Sequence, residues 1–185
     1  MTSRERSRCP DRASQRAQLR DLGGWATASG GRARTGLVYR SVALAHLDER
    51  DADALARLGI RTVYDLRTER ERQAAPDREL PGARSVVIDV LADAADAAPA
   101  ELEAVRHHPQ IATSTLGDGQ AAAMFTGGYR RIVSSGSALS AYRTMFTDLA
   151  TDLSRPALFH CTTGKDRTGW AAAVLLMLLG SATRT

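Results

Sequence analysis

Lysine is nearly absent from this chain. Of 25 basic residues in 185, Lys165 is the only lysine, and every other fixed positive charge is an arginine. A single compact ammonium among planar guanidinium forks marks a place where a point charge is wanted. Cysteine is scarce as well: Cys9 and Cys161 cannot build a disulfide framework, which excludes the stapled secreted mini-domain and suits a reducing cytoplasm. No apolar run can span a bilayer, since Ala171–Leu179 is too short and reads as a buried helix. Residues 1–19 lack the apolar centre of a secretory signal. No internal repeat is evident, and 185 residues make one domain with room for a real core.

The formal charge of +4 sits wholly in the first twenty residues, where six arginines face only Glu5 and Asp11. The remainder is neutral. Without apolar periodicity, residues 1–18 are expected to form a disordered basic leader ahead of one domain over 19–185. The leader has none of the aromatics that stack on single-stranded nucleic acid, so no nucleic-acid partner is expected.

What is present is concentrated at residues 160–169, His-Cys-Thr-Thr-Gly-Lys-Asp-Arg-Thr-Gly. The stretch follows a short apolar run, Pro156–Phe159, and precedes the apolar segment Trp170–Leu179. Strand, tight loop and helix in that order aim backbone N–H groups and a helix N-terminus at one small anion. A cysteine at the mouth of such a nest should ionise readily, because the field that binds phosphate also stabilises a thiolate. Arg167 can hold two phosphate oxygens with its planar fork. The expected chemistry is that of a cysteine-dependent phosphatase loop, with Thr162, Thr163, Gly164, Lys165, Asp166 and Arg167 around the phosphate.

Elsewhere, strands are predicted at Thr35–Arg40, Arg61–Leu66, Ser85–Leu91 and Pro156–His160 from β-branched and apolar enrichment. Helices are predicted at Asp48–Leu58 (capped by Asp48 or Asp51, stopped by Gly59), Gln120–Ser134 and Leu139–Leu153. Their core candidates are Leu55 and Leu58, then Met124, Tyr129, Ile132 and Val133, then Tyr142, Met145, Phe146 and Leu149. Residues 92–119 read as an excursion with one short helix near Ala100–Val105. Alternating strands and helices predict an α/β fold, a mainly parallel sheet covered on both faces, with the site at the carboxyl ends of the strands.

The decapeptide, in the form HCxxGKDRTG, resembles the loop of the atypical bacterial tyrosine phosphatases. Arg20–Gly24 (RDLGG), Tyr39-Arg40-Ser41 and Leu58–Arg67 (LGIRTVYDLR), followed by Glu69 and Glu71, are similar to further segments of that family, in the family's order. The resemblance covers about residues 19–180. It implies a cysteine-phosphatase-like sheet and activity on phosphotyrosine proteins or small phosphomonoesters, with phosphoserine, phosphothreonine or phosphoinositides as further substrates. Members usually continue past the loop helix, so a domain without the family's C-terminal helices is expected, and a non-catalytic phosphate-binding remnant is the alternative reading. A rhodanese-like sulfur transferase fits Lys165–Thr168 less well.

In mechanism, Cys161 attacks phosphorus and Arg167 with the loop N–H groups holds the oxygens, so no metal or other cofactor is needed. Thr168 either hydrogen-bonds the Cys161 sulfur or caps the helix, and His160 either fixes the loop or simply ends the strand. The proton donor is expected to be Asp166, for which the resemblance also speaks, with Asp89 as first alternative and Asp93 and Asp118 behind it. Asp65 and Arg67 are expected to pair structurally at a strand end.

Overall fold

The structure, a computed structural model, describes residues 18–94 and 120–181. Its strands are β1 (Arg20–Asp21), β2 (Val38–Ser41), β3 (Thr62–Asp65), β4 (Arg84–Val87) and β5 (Ala157–His160). Its helices are α1 (Glu49–Arg57), α2 (Glu69–Ala74), α3 (Gln120–Ser134), α4 (Gly136–Leu149) and α5 (Asp166–Leu178). The strands form one sheet in the order β1-β2-β5-β3-β4, with β1 antiparallel and the other four parallel. Central β5 pairs Ser41 and Asp65 with His160, so three strands end level with one another just before Cys161.

Both β3 and β5 are buried along their whole length, as strands covered on two faces must be. Side chains alternate across the sheet. Ala157, Phe159 and Cys161 join a core with Tyr64 and with Tyr142, Met145 and Leu175 of α4 and α5. Leu158 and Val63 point the other way, into a second core with Tyr39, Leu44 and Leu55 of α1. Full burial of a residue such as Phe159 stabilises the fold by about 1.5–3 kcal/mol, enough to hold β5 in one register.

Several predicted boundaries shift for visible reasons. The first strand begins only at Val38, because Thr35-Gly36 turns, with Gly36 at φ +79° and its N–H donating to Asp21 at 2.8 Å. The strand predicted at Ser85–Leu91 runs instead over Arg84–Val87, with Ile88 N still donating to Asp65 O at 2.9 Å beyond its last paired residue. Helix α4 starts three residues before Leu139, since Ser135 Oγ accepts from Ala138 N and caps it, and it ends at Leu149 rather than Leu153. Asp48 caps α1 by accepting from Asp51 N, as one of the two expected caps. The apolar segment of α5 is buried on one side only: Ala171, Ala172 and Leu175 enter the core while Met177 and Leu178 lie exposed.

The RDLGG segment is a brace. Asp21 accepts from Gly23 N at 2.7 Å as well as from Gly36 N, and a Cβ on Gly23 would fall 2.4 Å from Thr35 Cα. Residues 1–17 of the leader expected over 1–18, the helix expected near Ala100–Val105, Asp118 and the Met124 side chain lie outside the described residues.

Candidate active site

The loop grows out of β5. His160 closes the strand, and Cys161 follows as a free thiol only 1% exposed. Gly164 adopts φ +64°, and a Cβ there would meet Ser41 O at 2.6 Å, so both conformation and space demand glycine. Two loop carbonyls are pulled outward, Thr162 O by Ala43 N at 3.3 Å and Gly164 O by Arg40 Nη2 at 2.6 Å. Burial, then Arg20, lowers the pKa of Arg40, against an opposing pull from nearby Cys161. Helix α5 starts at Asp166 with Lys165 at its N-cap and no side-chain cap, which leaves its first N–H groups free for an anion.

Arg167 is directed by a residue that sequence reading did not assign. Glu71 of α2 takes its guanidinium edge to edge, Nη1 to Oε2 at 2.7 Å and Nη2 to Oε1 at 2.5 Å, while Nη1 also donates to Leu66 O at 3.3 Å. A guanidinium has five N–H groups in a fixed fork. The bonds to Glu71 and Leu66 use one face of it and leave Nε–H with one Nη2–H, a second two-pronged edge suited to two phosphate oxygens. Burial pushes Glu71 up, but the bonds and charge of Arg167, with help from Thr162 and Thr68, bring it down to about 2. Burial works against the charge of Arg167, and Glu71 reverses this, so its pKa is raised. Thr162 Oγ1 donates to the same Glu71, tying loop, helix and arginine into one unit.

A signal for α2 is present in the sequence: Thr68 and Glu71 form a reciprocal capping box, Glu71 Oε2 accepting from Thr68 N and Thr68 Oγ1 from Glu71 N. One carboxylate therefore both starts α2 and aims Arg167.

Beneath the loop, on the α1 side, lies a buried polar cluster. Arg67, 1% exposed, donates through Nε and Nη2 to Asp65, through Nη2 to Asp77 at 2.5 Å and through Nη1 to Ala75 O at 2.8 Å. Asp65 and Arg67 are thus the structural pair that the sequence suggested. His160 Nε2 lies 3.1 Å from Asp77 Oδ2, although neither ring nitrogen meets full hydrogen-bond geometry with any partner among the described residues. Burial raises the Asp77 carboxyl, and contact with His160 and the charge of Arg67 more than reverse it. Asp65, Asp77 and His160 bring ligand-type atoms within 4.8 Å of one another, but Arg67 already bridges both carboxylates and fills the role a cation would take. The cluster does not fit a metal ion.

The remaining candidates fall into place unevenly. Lys165 and Thr162 are exposed at the rim, and Thr163, Gly164 and Asp166 are half-buried. Thr168 is fully buried, yet its hydroxyl has no partner among the described residues, so neither the bond to Cys161 nor a capping bond is formed there. An unsatisfied buried hydroxyl beside the anion cradle is a group with capacity to spare. Asp166 Oδ1 accepts from Tyr129 Oη at 2.5 Å. Tyr129, expected in the core, is 48% exposed because it reaches from α3 towards this carboxylate. Asp89, beyond β4, accepts from Leu91 N at 2.8 Å; burial raises its pKa, which Arg72 and Arg167 nearby only partly offset. Asp93 is occupied elsewhere, accepting from Ser137 N and Oγ at the start of α4.

The profile of the tyrosine phosphatase family matches residues 14–185. A triple specificity protein phosphatase, PtpB, of Mycobacterium tuberculosis is 36% identical over 178 residues, covering 88% of this chain and 61% of that protein. A protein of Cupriavidus necator named "Putative tyrosine-protein phosphatase" is 33% identical over 188 residues, covering 90% of this chain and 56% of its own length. The chain thus spans little more than half the length of these relatives. Among the described residues no helix is long and apolar enough to cross a membrane.

Proposed function

The chain belongs to the tyrosine phosphatase family, and we propose that it hydrolyses phosphomonoesters through a cysteinyl-phosphate on Cys161. The observation that carries this reading is a convergence at one loop. A free thiol, an uncapped helix N-terminus and an arginine with one two-pronged edge unspent lie within seven consecutive residues, and Arg167 is near enough to Cys161 for their charges to interact.

In the first step the Cys161 thiolate attacks phosphorus in line, the S–P bond forms and the P–O bond to the leaving group breaks. Charge on the phosphoryl oxygens is met by loop N–H groups from Thr162 to Arg167, by the free Arg167 edge and by the start of α5. In the second step water attacks phosphorus, inorganic phosphate leaves and Cys161 regains its thiolate. The unsatisfied Thr168 hydroxyl is suited to stabilise the sulfur as it departs. The leaving oxygen takes its proton from Asp166 or Asp89. The family resemblance favours Asp166, which Tyr129 orients; the raised pKa of Asp89 favours the protonated form a donor needs.

A nucleophile this deeply buried favours a phosphate carried on a long side chain, so phosphotyrosine is the proposed first substrate. Exposed Lys165 at the rim supports additional action on more highly charged esters such as phosphoinositides, and on phosphoserine or phosphothreonine. A cytoplasmic setting, which keeps Cys161 reduced, belongs to the same proposal.

Release of p-nitrophenol from p-nitrophenyl phosphate, with loss of that release in Cys161→Ser, tests the reading. A cooperatively folded protein that releases none would instead favour a phosphate-binding module.

A further inference from the structure

We infer that Arg40 is a positioning residue for the anion cradle: by gripping the Gly164 carbonyl it turns the Lys165 N–H towards the phosphoryl group. This rests on the phosphatase reading of the loop and adds a residue to its machinery.

The argument begins with the peptide unit. In a planar trans peptide the carbonyl of one residue and the N–H of the next point in opposite directions. Whatever draws Gly164 O outward therefore aims Lys165 N–H inward. Arg40 Nη2 donates to Gly164 O at 2.6 Å, across 124 residues of sequence. Gly164 at φ +64° followed by Lys165 in the right-handed region is the alternation that makes successive N–H groups converge on an anion.

Position and charge fit the role. Arg40 lies on β2, in register with Phe159 of β5, two residues before Cys161. Its guanidinium is near enough to Cys161 for their charges to interact, and it packs beside the start of α5, where a Cβ on Gly169 would lie 3.7 Å from Nη2, an ordinary contact distance. The Thr162–Thr163 peptide, two units earlier in the loop, is held in the same manner, with Ala43 N drawing out Thr162 O. Backbone holds one peptide of the cradle and a long cationic side chain holds the other. The cationic grip has a second effect: a positive charge on the carbonyl end polarises the peptide and strengthens its N–H as a donor.

The test uses the full chain with Arg40→Met and Arg40→Lys, followed by thermal melting, p-nitrophenyl phosphate kinetics and the inhibition constant of vanadate. Arg40→Met should raise that constant roughly tenfold or more and lower kcat about 100-fold, the scale of one lost oxyanion donor. KM should change much less, because the donor acts chiefly on the transition state. Arg40→Lys should recover part of both losses. In the wild-type chain, vanadate should protect the Lys165 amide from hydrogen exchange, a result that does not depend on either variant folding. Unchanged vanadate inhibition in folded Arg40→Met, or a Lys165 amide that vanadate leaves unprotected, overturns the inference while leaving the phosphatase reading in place. A wild-type chain that neither binds vanadate nor releases nitrophenol overturns both.

Discussion

Arg167 and Glu71 meet edge to edge through two parallel hydrogen bonds, although 96 residues separate them in sequence. A lone guanidinium at the mouth of a loop would sample many rotamers. Clamped by Glu71, it presents one fixed edge, and the entropy of ordering it is spent during folding rather than during binding. Thr162 bonds to the same carboxylate, so loop and arginine are set together.

Glu71→Gln keeps the size of the side chain and weakens the clamp. We expect kcat/KM for p-nitrophenyl phosphate to fall about 10- to 100-fold, the usual scale for partners that orient a functional group. Steady-state kinetics check this, and unchanged kcat/KM in the folded variant would refute it.

The same carboxylate links stability to pH. Glu71 sits at about 2 in the folded protein against an ordinary value of 4.5. A depressed carboxyl contributes stability fully above its unfolded value and loses it as pH falls through its folded value. The wild-type advantage over Glu71→Gln should therefore be full above pH 4.5 and shrink between pH 4.5 and 2. Urea melts of both proteins across that window read the difference directly.

Gly164→Ala combines a left-handed backbone with a Cβ placed 2.6 Å from Ser41 O. We expect a loss of about 2–4 kcal/mol, from the strain of a side chain at positive φ and from displaced backbone. Chemical denaturation gives the first number. Loss of vanadate binding should accompany it, since the cradle cannot close around a shifted loop.

Arg67→Met removes the cation that Asp65 and Asp77 share below the loop. A buried ion pair broken on one side costs about 3–5 kcal/mol, and Asp77, which keeps some solvent contact, sets this case near the lower end. A denaturation midpoint close to that of the wild type would show that the carboxylates find other partners.

The proton donor is identified by the basic limb of the pH–rate profile. Asp166→Asn should abolish that limb if the loop aspartate donates, and Asp89→Asn if the half-buried aspartate beyond β4 does, with Asp93→Asn unchanged because Asp93 serves α4. A basic limb that survives in both variants removes both residues from the role.

The sequence was most legible where structure is local. His160 to Gly169 forms strand, loop and helix within ten consecutive residues, and α1 declares itself through Asp48, Leu55 and Gly59. Helix α2 was missed although its capping box, Thr68 with Glu71, is written in the chain. Tyr129 was misplaced because a helical apolar pattern counts an aromatic as core, and only the fold shows its hydroxyl meeting Asp166. The antiparallel β1 is two residues long and has no pattern to detect.

By itself, then, the sequence pointed to the proposed chemistry: a cysteine, a glycine and an arginine at fixed spacing, in a parallel α/β frame. Tertiary structure alone decided how that chemistry is aimed. Glu71 on Arg167, Arg40 on the Gly164 carbonyl and Asp77 beside His160 come from segments that no local rule connects to the loop. The reason is geometric. Parallel strands bring their carboxyl ends to one level, so residues far apart in the chain arrive at the same edge of the sheet.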